Sequence, residues 1–395
     1  FEFDPSTLRT TAVVIDTSEP RNGFVETCLD LTLAFAACSP AGGGGAGLTE
    51  RVAAWTECGM VLQVKLQADN DFYSQVHELR SRGLPINSVS LKTLPRFNPC
   101  PISPSGEVLV SKTGMGSSAA LTTSLVGALL QFLGVVSLPH APSEDEDCEG
   151  EDDDGGDDDA EEDDDGSLTL VHNVAQVVHA LAQGKVGSGF DVASAVRGSQ
   201  VYTRFSPSVL QPLFDSLGGA GGATAPPPRL LHDVCSSSDW DQASMPFALP
   251  DGLELVMGDV CGGSETPSMV RAVLRWRRDP ANPDAEGVWT SLADANAAAL
   301  EALQALSSAA AADPVAYASS LALAAGRSAE AWPDAGGGEV LALLTEVRAR
   351  VGEARRLLKT MGEGSGVPVE PDEQTALADA TADLLGVVCA GVPGA

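Results

Sequence analysis

Apolar residues return every three or four positions over long stretches of this chain, the period of amphipathic helices. Residues 24–37 are a clear case, with Val25, Cys28, Leu29, Leu31, Leu33 and Phe35 at helical spacing. The same pattern predicts helices over 71–82, 121–133, 168–183, 192–196 and 269–277. It continues over 291–306, 314–325, 338–361 and 373–385, so the last third is mostly helical. Alternating or short apolar runs predict strands at 1–3, 10–15, 61–66, 108–110, 199–205, 253–260 and 387–390. Gly-rich or Pro-rich polar stretches at 42–47, 84–104 and 218–228 read as loops and a linker.

Three small-residue turns interrupt this pattern, each beside a predicted helix start. The first is Lys-Thr-Gly-Met-Gly-Ser-Ser-Ala-Ala, beginning at Lys112. Gly114 and Gly116 permit a tight turn and close approach of a ligand, because neither carries a Cβ. Ser117 and Ser118 stand where the helix begins, and their hydroxyls can cap it. The first amides of that helix lack internal partners and sit at its positive dipole end, a combination that favours an anion such as phosphate. A plain Gly/Ser turn capping a core helix is the other reading, and the loop is not a Walker A sequence. The second turn is Lys185-Val-Gly-Ser-Gly-Phe-Asp191, and the third runs from Cys261 to Ser268.

Several such turns suit a ligand with more than one phosphate. Phosphoryl transfer asks for in-line positioning and for positive charge on the transferring oxygens. Lys112 and Lys185 are two of only five lysines, and both flank Gly-rich turns. Each is either a cation facing phosphate or a surface lysine beside a turn. Asp191 is either a proton acceptor or a helix cap.

Charge and composition narrow the class. The 395 residues are 44% hydrophobic, enough for two cored domains, and the net charge is −32. Residues 144–165 hold 17 acidic side chains, which leaves −32 + 17 = −15 for the remainder. Nucleic-acid binding is not expected from so acidic a chain. The acidic tract is self-repelling, and residues 141–167 are expected to form a disordered, solvated insertion; calcium or a basic partner is the alternative use. Eight cysteines lack metal-ligand spacing and read as free thiols, with Cys28, Cys38 and Cys389 expected in the core. No uncharged apolar run reaches 18 residues, so no membrane span is expected.

The run from Lys112 resembles the phosphate-loop motif of the GHMP small-molecule kinases. Gly184-Lys-Val-Gly-Ser-Gly-Phe-Asp191 resembles that family's aspartate-bearing segment. Gly258-Asp-Val-Cys-Gly-Gly-Ser-Glu-Thr-Pro-Ser-Met269, and the segment from Lys359-Thr-Met-Gly-Glu to Gly-Val-Pro-Val-Glu-Pro371, are similar to the phosphomevalonate kinase branch, most of all to its plant type. The resemblance covers nearly the whole chain outside the acidic tract. It implies an α+β, two-domain GHMP kinase fold, with a ribosomal-S5-like ATP-binding domain at 1–247 and a ferredoxin-like domain at 248–395. It implies transfer of the ATP γ-phosphate to (R)-5-phosphomevalonate with Mg²⁺, giving 5-diphosphomevalonate and ADP for isoprenoid biosynthesis.

By the same resemblance Gly114, Met115, Gly116, Ser117, Ser118 and Ala119 cradle the ATP phosphates, and Ser118 supplies the metal-side hydroxyl. Asp191 orients or deprotonates the acceptor, and Lys112 faces the transferring phosphates. Lys185, Ser188, Gly189, Ser264, Thr266 and Ser268 fall on the substrate side. His179 stands where related mevalonate kinases carry a metal-binding Glu; it either meets substrate phosphate or is a half-buried helix histidine. The implied partners are ATP and a small-molecule substrate, without nucleic acid or membrane, and the implied place is the cytoplasm, with the peroxisome as alternative.

Two of the family's features are missing. The Pro-Gly-Lys motif near the N-terminus is not found, and only Gly391-Val-Pro-Gly-Ala395 matches the opening of the last Gly-rich motif. The expectation is that the full-length parent is a kinase and that this chain alone is weak or inactive. The competing expectations are a mevalonate or homoserine kinase, a non-catalytic nucleotide-binding fragment, and a chain whose acidic tract recruits a basic partner.

Overall fold

The computed structural model of the chain describes residues 1–13, 22–40, 47–98, 109, 111–139, 158–218, 225–258, 266–336 and 338–392; for 158–164, 266 and 267 it describes the backbone alone. The chain is mixed helix and strand, with helix predominating among the described residues. It divides into two compact units, Phe1–Phe247 and Ala248–Ala395.

The first unit opens on a hairpin, β1 (Glu2–Asp4) against β2 (Arg9–Thr11), antiparallel with Phe3 opposite Thr10. Helix α1 (Gly23–Cys38) follows. Its cap is Asn22, whose side chain accepts from the amides of Phe24 and Val25. Asp30 on α1 ties the hairpin down, through Arg9 Nη1 at 3.0 Å and the Thr10 amide at 2.7 Å. Helix α2 (Leu48–Glu57) buries only Leu48, which explains why its weak apolar stripe did not predict it. It is held by packing of Trp55 on Phe132 and by Arg51 donating to the Leu133 carbonyl at 2.7 Å.

The expected helix over 71–82 is broken. A 3₁₀ turn (Asn70–Phe72) is separated from α3 (Val76–Ser81) by Tyr73, which pairs with Lys112 in an isolated antiparallel bridge. The Ser74 amide donates to Ser111, so this tertiary pairing takes backbone groups a continuous helix would need. A short α4 (Ser88–Leu91) precedes the phosphate-loop helix α5 (Ser117–Phe132).

Helix α6 (Asp158–Gln183) begins ten residues ahead of Leu168. Residues 158–167 are therefore helical, not the end of a disordered insertion; the rest of that expectation, 141–157, lies outside the described residues. Once the buried C-terminal half nucleates the helix, extension adds one hydrogen bond per residue, and acidic side chains suit the positive N-terminal end. Helix α7 (Phe190–Arg197) leads into β3 (Gln200–Thr203). Then come α8 (Gln211–Leu217), α9 (Pro228–Cys235) and β4 (Ala243–Pro246), which pairs antiparallel with β3.

The core of this unit is helix on helix. Cys28, Leu31 and Phe35 of α1 meet Val126 and Leu130 of α5, Val174 and Val178 of α6, and Leu231 of α9. Burying each large side chain contributes about 1.5–3 kcal/mol. Of the three cysteines expected in the core, Cys28 is buried, Cys38 is half-buried and Cys389 is exposed. Cys235, not singled out by the pattern, is buried.

The second unit contains α10 (Thr266–Arg278), α11 (Ala285–Ala312), α12 (Pro314–Ala325), α13 (Gly338–Ser365) and α14 (Asp372–Ala382). Leu306, Leu344 and Trp332 anchor its core, and the Trp332 indole donates to the Ala324 carbonyl at 3.1 Å. Arg355 on α13 holds the nearly buried Glu370 at 2.7 Å and Asp379 of α14 at 3.0 Å.

Three strand expectations fail. Residues 61–66 have no partner strand among the described residues, and Val61, Leu62, Val64 and Leu66 are exposed. Over 253–258 Leu255 and Val256 are also exposed, and 387–390 is irregular. Alternation specifies a half-buried strand only where a neighbour supplies the ladder and covers one face. The expected strand at 108–110 lies outside the described residues save Leu109.

Candidate phosphate-binding site

The phosphate loop is pinned at its start and open at its end. Thr113 donates its amide to Phe72 at 3.2 Å and its hydroxyl to the Asp71 carbonyl at 2.7 Å. Gly114 and Gly116 then take left-handed backbones, with φ of 80° and 73°. Gly116 is itself the cap residue of α5, and among the described residues no side chain satisfies the first amides of that helix. This corrects the expectation that Ser117 and Ser118 cap it. Ser118 points its hydroxyl elsewhere, to His179 Nε2 at 3.1 Å. The unmet amides and the dipole end are thus left for an anion.

Asp191 arrives at the same place from α7. Gly189, with φ of 76°, caps that helix, so Asp191 lies inside its first turn and does not cap it. Its Oδ1 accepts from the Val192 amide at 2.9 Å. A Cβ placed on Gly116 would come within 3.3 Å of Asp191 Cβ, so the loop and the aspartate touch. Glycine at 116 is favoured by its dihedral and by that close approach.

Helix α6 runs beneath both turns. Every residue from 171 to 180 is buried, yet four of them are polar: His172, Asn173, Gln176 and His179. His179 reaches α5 through Ser118 and also contacts Gln183 Nε2 at 2.9 Å. Burial holds its imidazole below the ordinary value; the Asp191 carboxylate partly opposes this, and Lys185 adds to it. His179 is therefore a buried helix histidine, deeper than the half-buried one expected, and it lies beside Ser118 of the loop helix. Gln176 donates to the Gly189 carbonyl at 2.7 Å. Gln176, His172 and Asn173 were missed by the motif reading. The signal available was these three polar residues, with His179, inside an otherwise apolar helical stretch, Val171 to Ala180.

The remaining predicted residues divide. Lys112 is exposed at the pinned start of the loop, and Met115 is exposed at its tip. Ser117 is half-buried, whereas Ala119 is fully buried and offers a ligand only its amide. Lys185 follows the Gly184 turn that closes α6, its amide bonded to Ala180, and Ser188 is exposed. Ser264 lies outside the described residues. Thr266 opens α10 and Ser268 stands exposed in its first turn, both in the second unit.

No cluster of three or more His, Cys, Asp or Glu side chains exists among the described residues. Among the described residues, the oxygen donors the site offers a metal include the Ser118 hydroxyl and the Asp191 carboxylate. Such a sparse oxygen set fits Mg²⁺, which keeps waters and shares nucleotide phosphates. No described helix is long and apolar enough to cross a membrane.

No family model matches the chain. Individual relatives do. The peroxisomal phosphomevalonate kinase of Arabidopsis thaliana is 36% identical over 346 residues, 85% of this chain and 64% of that protein. The phosphomevalonate kinase of Aspergillus fumigatus is 34% identical over 95% of this chain and 62% of its own length. That of Candida albicans is 31% identical over 72% and 55%. A solved Lin0012 protein from Listeria innocua, 16% identical with a TM-score of 0.41 over 71% of this chain and 55% of its own, is too distant to inform the fold. The chain spans less than two thirds of the length of these curated relatives. Over most of its length the chain is thus similar to plant and fungal phosphomevalonate kinases, at 31–36% identity.

Proposed function

We propose that the protein transfers the γ-phosphate of ATP to (R)-5-phosphomevalonate, releasing 5-diphosphomevalonate and ADP in the mevalonate pathway, on a two-domain GHMP kinase fold. The contact between Gly116 and Asp191 carries this reading, because it sets the aspartate beside a helix N-terminus whose first amides are unmet. Relatives carrying the phosphomevalonate kinase name support the substrate.

In this reading the amides at 117–119 hold ATP phosphate oxygens, and the left-handed Gly114 and Gly116 let the backbone approach them. Lys112 and Lys185 bring positive charge to the transferring phosphoryl group. Asp191 accepts the proton of the acceptor oxygen, or orients it, as that oxygen attacks the γ-phosphorus and the bond to the ADP oxygen breaks. Ser118 and Asp191 are the side chains that would hold Mg²⁺, which neutralises phosphate charge when bound. By the family resemblance Ser188 and Gly189 are assigned to the acceptor, and so are Ser264, Thr266 and Ser268. The compartment is the cytoplasm, or the peroxisome named for the Arabidopsis relative.

The test is coupled ADP release by the full-length protein with ATP, Mg²⁺ and either phosphomevalonate or mevalonate. Turnover with phosphomevalonate alone is expected. Asp191→Asn should abolish it while nucleotide binding persists. Turnover with mevalonate only, or full activity of the variant, would overturn the assignment.

A further inference from the structure

The polar residues buried in α6 form a chain of hydrogen bonds with one consistent direction. Gln176 Nε2 donates to the Gly189 carbonyl at 2.7 Å and lies 3.2 Å from His172 Nε2. An amide nitrogen has only protons to give, so His172 Nε2 must accept. The proton of the neutral imidazole therefore sits on Nδ1, where it meets Asn173 Oδ1 at 3.1 Å. Asn173 Nδ2 in turn donates to the Cys235 carbonyl on α9 at 3.1 Å. Burial holds the His172 imidazole below its ordinary value, in keeping with the neutral form. Facing it are the Arg197 guanidinium of α7, the Tyr202 ring of β3 and the Trp240 ring.

Four polar side chains within about two fully buried turns of helix cost desolvation unless each bond is made. Apolar residues would fill that space without the cost. What the arrangement secures is two carbonyls, that of Cys235 on α9 and that of Gly189, two residues before Asp191. Gly189 has no room for a side chain: a Cβ there would fall 2.7 Å from Gln176 Oε1 and 2.8 Å from Nε2. The amide of Gln176 thus fills the space under the turn and fixes the left-handed residue from which α7 starts.

We infer that Gln176 is a positioning residue for Asp191, acting through the Gly189 carbonyl and itself oriented by neutral His172. The inference rests on the function proposed above for Asp191. Its consequence is that the relation between the aspartate and the phosphate loop is set from below, by α6.

Gln176→Met keeps the volume and removes both hydrogen bonds. Gln176→Glu keeps the shape and can donate to Gly189 only while its carboxyl is protonated, a form that burial favours. Two readouts apply to the full-length protein. Amide hydrogen exchange, followed by mass spectrometry, should accelerate at least about 10-fold over residues 189–193 in Gln176→Met, with α1 and α9 unchanged. Steady-state kinetics should show kcat down by about 10-fold to 100-fold with the KM for ATP within about 2-fold, the expected result of misplacing a reacting group. In Gln176→Glu, kcat should fall further as pH rises and the carboxyl ionises, a dependence the parent lacks.

Unchanged exchange at 189–193 would overturn the inference, as would faster exchange spread evenly over the first unit or a kcat of Gln176→Glu that follows the parent's pH profile. If Gln176→Met fails to fold, the exchange and pH profile of Gln176→Glu decide. Absence of phosphomevalonate turnover in the parent would count against the proposed function; exchange at 189–193 would still decide whether Gln176 fixes the turn.

Discussion

Gly116→Ala and Gly114→Ala place the same methyl group on two left-handed residues of one loop, and only one of them meets Asp191. Gly116 has φ of 73° and Gly114 has φ of 80°. Alanine in that region costs about 1–2 kcal/mol, of which about 0.4–1 kcal/mol is offset because the unfolded chain becomes stiffer. Each variant should thus lose about 1 kcal/mol, a fall in Tm of about 2–4 °C for a unit of this size. At Gly114 nothing among the described residues lies within 4 Å of the added atom, so only the backbone of the loop is perturbed. At Gly116 the added atom lies 3.3 Å from Asp191 Cβ, short of an ordinary carbon contact of about 3.5–4.0 Å. Asp191 must then shift by a few tenths of an ångström. Gly116→Ala should lower kcat by about 10-fold or more, since small misplacements at a reacting group are costly. Gly114→Ala should instead raise the KM for ATP. Calorimetry checks the equal stability loss and coupled ADP release checks the split. Identical kinetic patterns in the two variants, or an undiminished kcat in Gly116→Ala, would refute the placement of Asp191 against the loop.

Two further outcomes follow from buried titratable groups. Burial lowers the imidazoles of His172 and His179 from 6.5, so at mildly acid pH the unfolded chain binds more protons than the folded one. Stability to urea should therefore fall as pH drops below about 6.5, well before carboxylates titrate near about 4; a denaturation midpoint that stays flat between pH 7.5 and 5.5 would contradict this. Burial also pushes the Cys28 thiol up to about 12 and raises that of Cys235, whereas Cys58 is exposed. Iodoacetamide at pH 8 should label Cys58 and spare the other two until urea unfolds the chain, as read by peptide mass spectrometry; equal labelling of all three would dismiss the described core.

The amino-acid sequence by itself determined where chemistry is concentrated. Residues 112–119 and 184–191 stand out because left-handed glycines and unmet helix amides are local properties, and local properties are written in local order. The long helices were legible for the same reason: the stripe of α1 or of α12 needs only its own period to be seen. Strands were not, because residues 61–66 and 253–258 alternate as a strand does, but pairing depends on what lies alongside. The extension of α6 into the acidic run, and the break in the helix expected at 71–82, were likewise set by packing and by the Tyr73–Lys112 bridge. Tertiary structure alone decided that Ser118 faces His179, that Asp191 touches Gly116, and that Gln176 lies under Gly189. Those contacts join residues 13 to 75 positions apart, and no periodicity or motif spacing encodes them. They exist because the hydrophobic burial of α1, α5 and α6 brings three helix ends to one place, where the polar groups that remain must find partners in one another.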